Sequence, residues 1–150
     1  MRLIVKNGKR DTIEYMMLTM KEIVSSSQWD AFVLANAPQA LFQSWSWGEV
    51  AKKLGQKMWR LGWYQGDTLV GVGQVVKVSA RRGTFLHFRH GPVLSRSVYW
   101  NEILKDVQAL AKREKAWFIR VSPQVADSQE NIVLFKQMGF VPAPIHAMDA

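Results

Sequence analysis

The chain has 150 residues, 48% of them hydrophobic and 21% charged, which suits one compact domain with a sizeable core and argues against disorder. It has no cysteine, which excludes disulfides, a thiolate nucleophile and Cys-ligated metals, and its histidines, His87, His90 and His146, are a thin supply for an all-His metal site. The formal charge of +8 suits a polyanionic partner such as a nucleic acid, a nucleotide-linked substrate or an anionic membrane surface.

Residues 1–19 have the weakest pattern, an extension or first strand, with a turn expected at "KNGK" and a strand at Thr12–Leu18. The segment mixes charges among its apolar residues, unlike a signal peptide, and no apolar run approaches the roughly 20 residues of a membrane span. The cytoplasm is the default location. "SQWD" predicts a helix capped by Ser27, with Trp29, Phe32, Val33 and Asn36 on one face and Pro38 after it. "FQSWSWGEVAKKLG" predicts a second helix. Ser46 and Glu49 have capping-box spacing, Trp47, Val50, Ala51 and Leu54 follow an inward stripe, and Gly55 closes it. Trp47 is then core, whereas Trp45 precedes the helix.

From Lys57 to Leu94 the pattern is an antiparallel meander with turns at "QGDT" and "ARRG". Gly71 and Gly73 interrupt its middle strand, as a bulge or close ligand approach does. "VYWNEILKDVQALAKREK" is strongly amphipathic, with Trp100, Ile103, Leu104, Val107, Leu110 and Ala111 on one stripe. "AWFIRV" reads as a short buried strand, and "DSQENIVLFKQMG" as a last helix carrying Ile132, Phe135 and Met138 and ending at Gly139. "FVPAPIHAMDA" begins a further strand or linker. The order α-α-β-β-β-α-β-α gives an α/β (α+β) class with a largely antiparallel sheet and one crossover helix.

Little here supports covalent catalysis. There is no G-x-S-x-G elbow, and Ser44, Ser46, Ser95 and Ser122 suit caps or turns. His87 and His90, three apart on a strand, point to opposite faces, poor geometry for one metal. His87 suits a satisfied polar side chain, and His90, at a strand end before Gly-Pro, suits a site. "LVGVGQ" lies within a strand and is no dinucleotide loop. "RHGPVLSRSVYWNEI", where an acetyl-CoA transferase would cradle pyrophosphate, has one glycine and a proline that removes a donor. Most basic residues suit a solvated surface. Arg120 differs, because a charge inside an apolar strand needs either a carboxylate or an anionic or carbonyl group of a ligand.

Taken in order, "SQWDAFV", "FQSWSWGEVAKKLG", "WRLGWYQGDTLVGVGQVVKV", "FRHGPVL", "LAKREKAWFIRVSP" and "LFKQMGF" resemble the Fem (FemAB-like) peptidoglycan bridge-forming aminoacyltransferases, also called methicillin-resistance factors, from about Met20 to Ile145. The resemblance implies a GNAT-like domain with a mixed, largely antiparallel sheet flanked by helices over residues 20–150. It also implies transfer of an amino acid from aminoacyl-tRNA to the stem peptide of a UDP-linked or lipid-linked muropeptide precursor, with no cofactor. Its substrate-binding candidates are Trp45, Lys52, Lys53, His90, Trp117, Arg120 and Ser122. Ser122 stands where the family usually has an acidic residue, and His90 where Lys or Arg is common. Family members are more than twice this length, with a second such domain. The expectation is therefore one half, short of its final strand, inactive alone, and open to association as a homodimer. Two further readings are a GNAT-fold acyltransferase with another donor, and a non-catalytic basic module for RNA or precursor.

Overall fold

The computed structural model describes residues 17–81 and 83–143. The meander is present as β2 (Met58–Gln65), β3 (Thr68–Ala80) and β4 (Gly83–His90). A short β1 (Thr19–Glu22) pairs antiparallel with β2, β5 (Val93–Leu94) returns to β3, and β6 (Phe118–Pro123) pairs parallel with β4. The sheet order is β1-β2-β3-β4-β6, with β5 beside β3. This is the mixed, mostly antiparallel α/β arrangement expected. The crossover to β6 runs through α3 (Trp100–Arg113), as parallel pairing requires. The strand expected at Thr12–Leu18 falls almost wholly outside the described residues, as do residues 144–150.

Helices cover both faces, so β3 reads as a buried run from Val70 to Val75 rather than as an alternation. On one face α3 lays Ile103, Val107 and Leu110 over Leu61, Trp63, Leu86 and Phe88. On the other, α1 (Ser26–Asn36) seats Trp29 and Val33 against Ile23, Val72 and Val93. Trp29, Trp63 and Phe88 are fully buried, each stabilising by roughly 2–3 kcal/mol. The glycines in β3 serve this packing. A Cβ on Gly71 would meet Leu94 and Ile103, one on Gly73 would meet Phe88 and Trp63, and the bulge falls beside them, at Val70.

Four local expectations are corrected. α1 is capped by Ser25, not Ser27, and α2 (Trp45–Lys53) by Ser44, not Ser46; Ser44 Oγ accepts from Trp47 N at 3.3 Å. Trp45 therefore opens α2. Trp47 is half-buried, and Val50 and Leu54 are exposed, because α2 faces inward with Gly48 and Ala51. The cause is a polar cluster beneath it: a Cβ on Gly48 would overlap the side chains of Gln74 and Arg60, so only a small residue can approach. Finally, "AWFIRV" is not buried. Among the described residues β6 is the sheet's edge, Trp117 and Phe118 are exposed, and α4 (Gln129–Gln137) has no buried residue. Gly55, at φ 72°, does close α2, its N–H bonding Lys52 O while Gln56 N bonds Ala51 O.

Candidate functional site

β3 and β4 pair from Ala80↔Gly83 to Val76↔His87. Two residues further on, the same register would set Gln74 against Arg89, but the ladder stops, and the side-chain amide of Gln43 replaces the missing bonds. Its Nε2 donates to the carbonyls of Gln74 (3.1 Å) and Arg89 (2.7 Å), and Gln74 N–H donates to its Oε1 at 2.7 Å. A primary amide, with donors and acceptor in one plane, can meet both strands at once. Gln43 is fully buried at the end of a 3₁₀ turn, Leu41–Gln43, and Trp29 Nε1 donates to its carbonyl at 2.5 Å. Gly91 is confined by the same amide, since a Cβ there would lie 2.6 Å from it. Past this wedge β4 leaves β3 through His90 (φ 54°) and the cis Gly91–Pro92 bond, and β5 takes its place.

The departure opens the carboxyl ends of the parallel pair β4 and β6, where ligands of α/β sheets commonly bind. His90 N–H donates to Ser122 Oγ at 3.2 Å, and that hydroxyl donates to Phe88 O at 3.4 Å. The 3₁₀ turn brings Phe42 edge-to-face with the His90 ring at 4.5 Å and with Trp47 at 4.7 Å. The Arg89 guanidinium lies 3.8 Å over the Phe42 ring. His90 Nδ1 is shielded from solvent and has no hydrogen-bond partner. Burial, then the charge of Arg89, lowers the His90 pKa below 6.5, which favours the uncharged ring at neutral pH.

Along β6, Phe118, Arg120 and Ser122 alternate onto one face, in register with Phe85, His87 and Arg89 of β4. The Phe85 and Phe118 rings stack at 4.7 Å and 8°. Half-buried Arg120 also lines a groove of about 870 Å³ between β6, α3 and α4.

The seven predicted residues thus fall into separate groups. His90 and Ser122 are in direct contact, Arg120 lies two residues along the strand, and Trp117, 76% exposed, lies over Gly83 at the far end. Trp45 and Lys52 border a different depression of about 170 Å³, with Glu22, Met58 and Arg60. Lys53 is exposed at the end of α2. Trp45 is held as structure: it meets Trp29 edge-on at 6.3 Å, and buried Arg60 stacks on it at 3.5 Å while donating to its carbonyl and to Glu49 at 2.8 Å. Phe42, Gln43 and Arg89 were not singled out by sequence reasoning. All three nevertheless lie in the stretches "FQSWSWGEVAKKLG" and "FRHGPVL" that carry the family resemblance, which was their signal. Among the described residues no cluster of His, Asp and Glu could hold a metal, and no helix is long and apolar enough to cross a membrane.

The FemAB family model matches residues 24–137. Among curated proteins, the lipid II:glycine glycyltransferase of Staphylococcus saprophyticus is 31% identical over 122 residues, covering 74% of this chain and 29% of that one. The protein of the same name from Staphylococcus aureus (strain MRSA252) is 29% identical over 128 residues, 78% of this chain and 30% of that one. The chain therefore spans about three-tenths of the length of these relatives. Among solved structures, FemX superposes with a TM-score of 0.70 at 24% identity, over 81% of this chain and 31% of FemX. Glucosamine-6-phosphate N-acetyltransferase from Arabidopsis thaliana gives 0.58 at 13% identity, over 87% and 95%, a likeness of fold that extends to other acetyltransferases.

Proposed function

The chain belongs to the FemAB family, and on that premise we propose that it is the precursor-binding part of a peptidoglycan bridge-forming aminoacyltransferase. The reaction passes an amino acid from aminoacyl-tRNA to an amine of the stem peptide. The amine nitrogen attacks the ester carbonyl, the new C–N bond forms, the C–O bond to the ribose breaks, and the proton that the amine loses ends on the departing ribose oxygen as its hydroxyl. Such chemistry needs positioning and a proton acceptor rather than a covalent nucleophile. The observation that carries this reading is the cluster at the ends of β4 and β6: His90, whose backbone N–H donates to Ser122 Oγ and whose ring meets Phe42 edge-on, with Trp47 packed behind Phe42. Arg120 along the same strand supplies a cation for the precursor's anionic groups, and Trp117 an aromatic surface at its far end. Lys52 and Trp45 border the separate depression on the α2 side, with Lys53 exposed near it, as a second basic and aromatic contact area. In this reading the chain works in the cytoplasm, with a lipid-linked or UDP-linked precursor and a tRNA as its partners.

Isothermal titration with a UDP-linked muramoyl pentapeptide tests the reading. We expect binding by the wild type and a loss of about tenfold or more in Arg120→Ala, in line with removal of a charge-assisted contact. A folded wild-type chain that does not bind refutes it. A second reading, a GNAT-fold acyltransferase with another donor, draws on the shared fold with acetyltransferases; thermal stabilisation by acetyl-CoA would favour that one.

A further inference from the structure

α2 is an amphipathic helix turned inside out. Its small residues Gly48 and Ala51 are buried, and the apolar stripe Trp47, Val50 and Leu54, spaced i, i+3 and i+7, looks outward. Val50 is 43% and Leu54 72% exposed. A single exposed leucine needs no explanation, but this stripe runs into Lys52-Lys53-Leu54-Gly55-Gln56-Lys57, exposed at every position. The helix carries one acid, Glu49, and its charge is taken up by Arg60 at 2.8 Å and Lys52 at 3.5 Å, which hold its pKa below 4.5. Lys57 in turn bonds Glu114 at 2.8 Å, so Lys52, Lys53 and Lys57 outnumber the two acids that meet them, and the outward face is apolar with an excess of positive charge.

That combination fits an interfacial helix on an anionic bilayer: aliphatic side chains enter the headgroup boundary, tryptophan sits at headgroup level, and lysines meet lipid phosphates. A nucleic acid would use the lysines but leave Val50 and Leu54 in water, so it fits the face less well. We propose that the outward face of α2 docks this protein on an anionic membrane surface. The stripe also has a direction. From Leu54 it runs through Val50 to Trp47, which packs on Phe42, which packs on His90. A docked α2 thus lies beside the β4–β6 site, and a precursor carried on a lipid reaches that site without leaving the membrane. This last step rests on the functional reading above; the docking itself rests on α2.

Flotation of the full chain with vesicles tests the proposal, comparing phosphatidylglycerol/phosphatidylcholine mixtures with phosphatidylcholine alone. We expect partition onto the anionic vesicles, weakened by about 0.5 M salt. The double variant Val50→Ser/Leu54→Ser should lose about tenfold in partition with its melting temperature unchanged, and Lys53→Gln about fivefold. No partition onto anionic vesicles, or partition indifferent to Val50→Ser/Leu54→Ser, overturns the proposal. So does a wild-type dimer in light scattering that this double variant dissociates, because the face then belongs to a second copy. tRNA binding weakened by Lys53→Gln, without vesicle binding, assigns the face to RNA instead. Titration of the soluble UDP-linked precursor into the double variant separates the two readings. Retained precursor binding keeps the β4–β6 site whatever the vesicles do, and vesicle binding without precursor binding leaves the docking standing while the site reading falls.

Discussion

Replacing Gln43 by alanine should break the joint that opens the sheet. The wild-type amide satisfies one backbone N–H and two backbone carbonyls where the β3–β4 ladder ends, in a fully buried position. A buried polar group left without a partner costs about 1–3 kcal/mol. Taking about 2 for the Gln74 N–H and about 1 for each carbonyl gives roughly 4 kcal/mol, before any cavity is counted. That is a large share of the usual ~5–15 kcal/mol of a domain, and near this size it lowers the melting temperature by roughly 10 °C or more. Urea unfolding followed by circular dichroism measures it. Gln43→Met tests the cause, since it keeps the length and removes the hydrogen bonds. If the bonds matter, Met is nearly as damaging as Ala. Gln43→Glu should be worse than either, because an anion would face the carbonyls of Gln74 and Arg89. A Gln43→Met protein within about 1 kcal/mol of wild type would refute the wedge argument and leave Gln43 as mere filling.

Gly48→Ala puts a methyl group into the side chains of Gln74 and Arg60, and thermal unfolding should show a loss of about 1–3 kcal/mol despite the helix-favouring residue. Glu114 accepts from Lys57 at 2.8 Å and Lys77 at 3.2 Å, and the hydrogen bond from Lys57 leads in lowering its pKa below 4.5. Its stabilisation is full above the unfolded value and lost as pH falls through the folded one, so Glu114→Gln should flatten the acid limb of stability against pH below about 4.5. His90 has the opposite character: its folded pKa lies below 6.5, so folding excludes the proton and stability falls as pH drops from 6.5 through the folded value. His90→Gln should remove that slope in pH-dependent melting and weaken precursor binding at pH 7.5; an unchanged slope would mean that His90 is not the group responsible.

Much of the fold was legible because it rests on local periodicity. Apolar runs separated by the turns "QGDT" and "ARRG" marked the meander, and the stripe Ile103, Val107 and Leu110 marked α3, since each pattern has one satisfactory way to be buried. α2 escaped the same reasoning. Its stripe Trp47, Val50 and Leu54 has the period of a core helix, but the inward face is chosen by what lies beneath, and Gln74 and Arg60 admit only Gly48 and Ala51. β6 escaped for a related reason. An apolar strand is buried only if both faces and both edges find cover, and among the described residues β6 stands at the edge.

The site divides in the same way. His90 before Gly-Pro and Ser122 before Pro123 mark strand ends in the sequence, and the motif order from "FQSWSWGEVAKKLG" to "IRVSP" was enough to reach the family. Composition alone excluded thiol chemistry and disulfides. Only the tertiary structure decided that His90 and Ser122 touch, that Arg120 lies near them while Trp45 and Lys52 border another depression, and that Phe42 and Trp47 wall the site. Those contacts join residues up to 48 positions apart, as Phe42 and His90 are, and no local pattern encodes them. They follow from one buried amide, Gln43, that sets where two strands part.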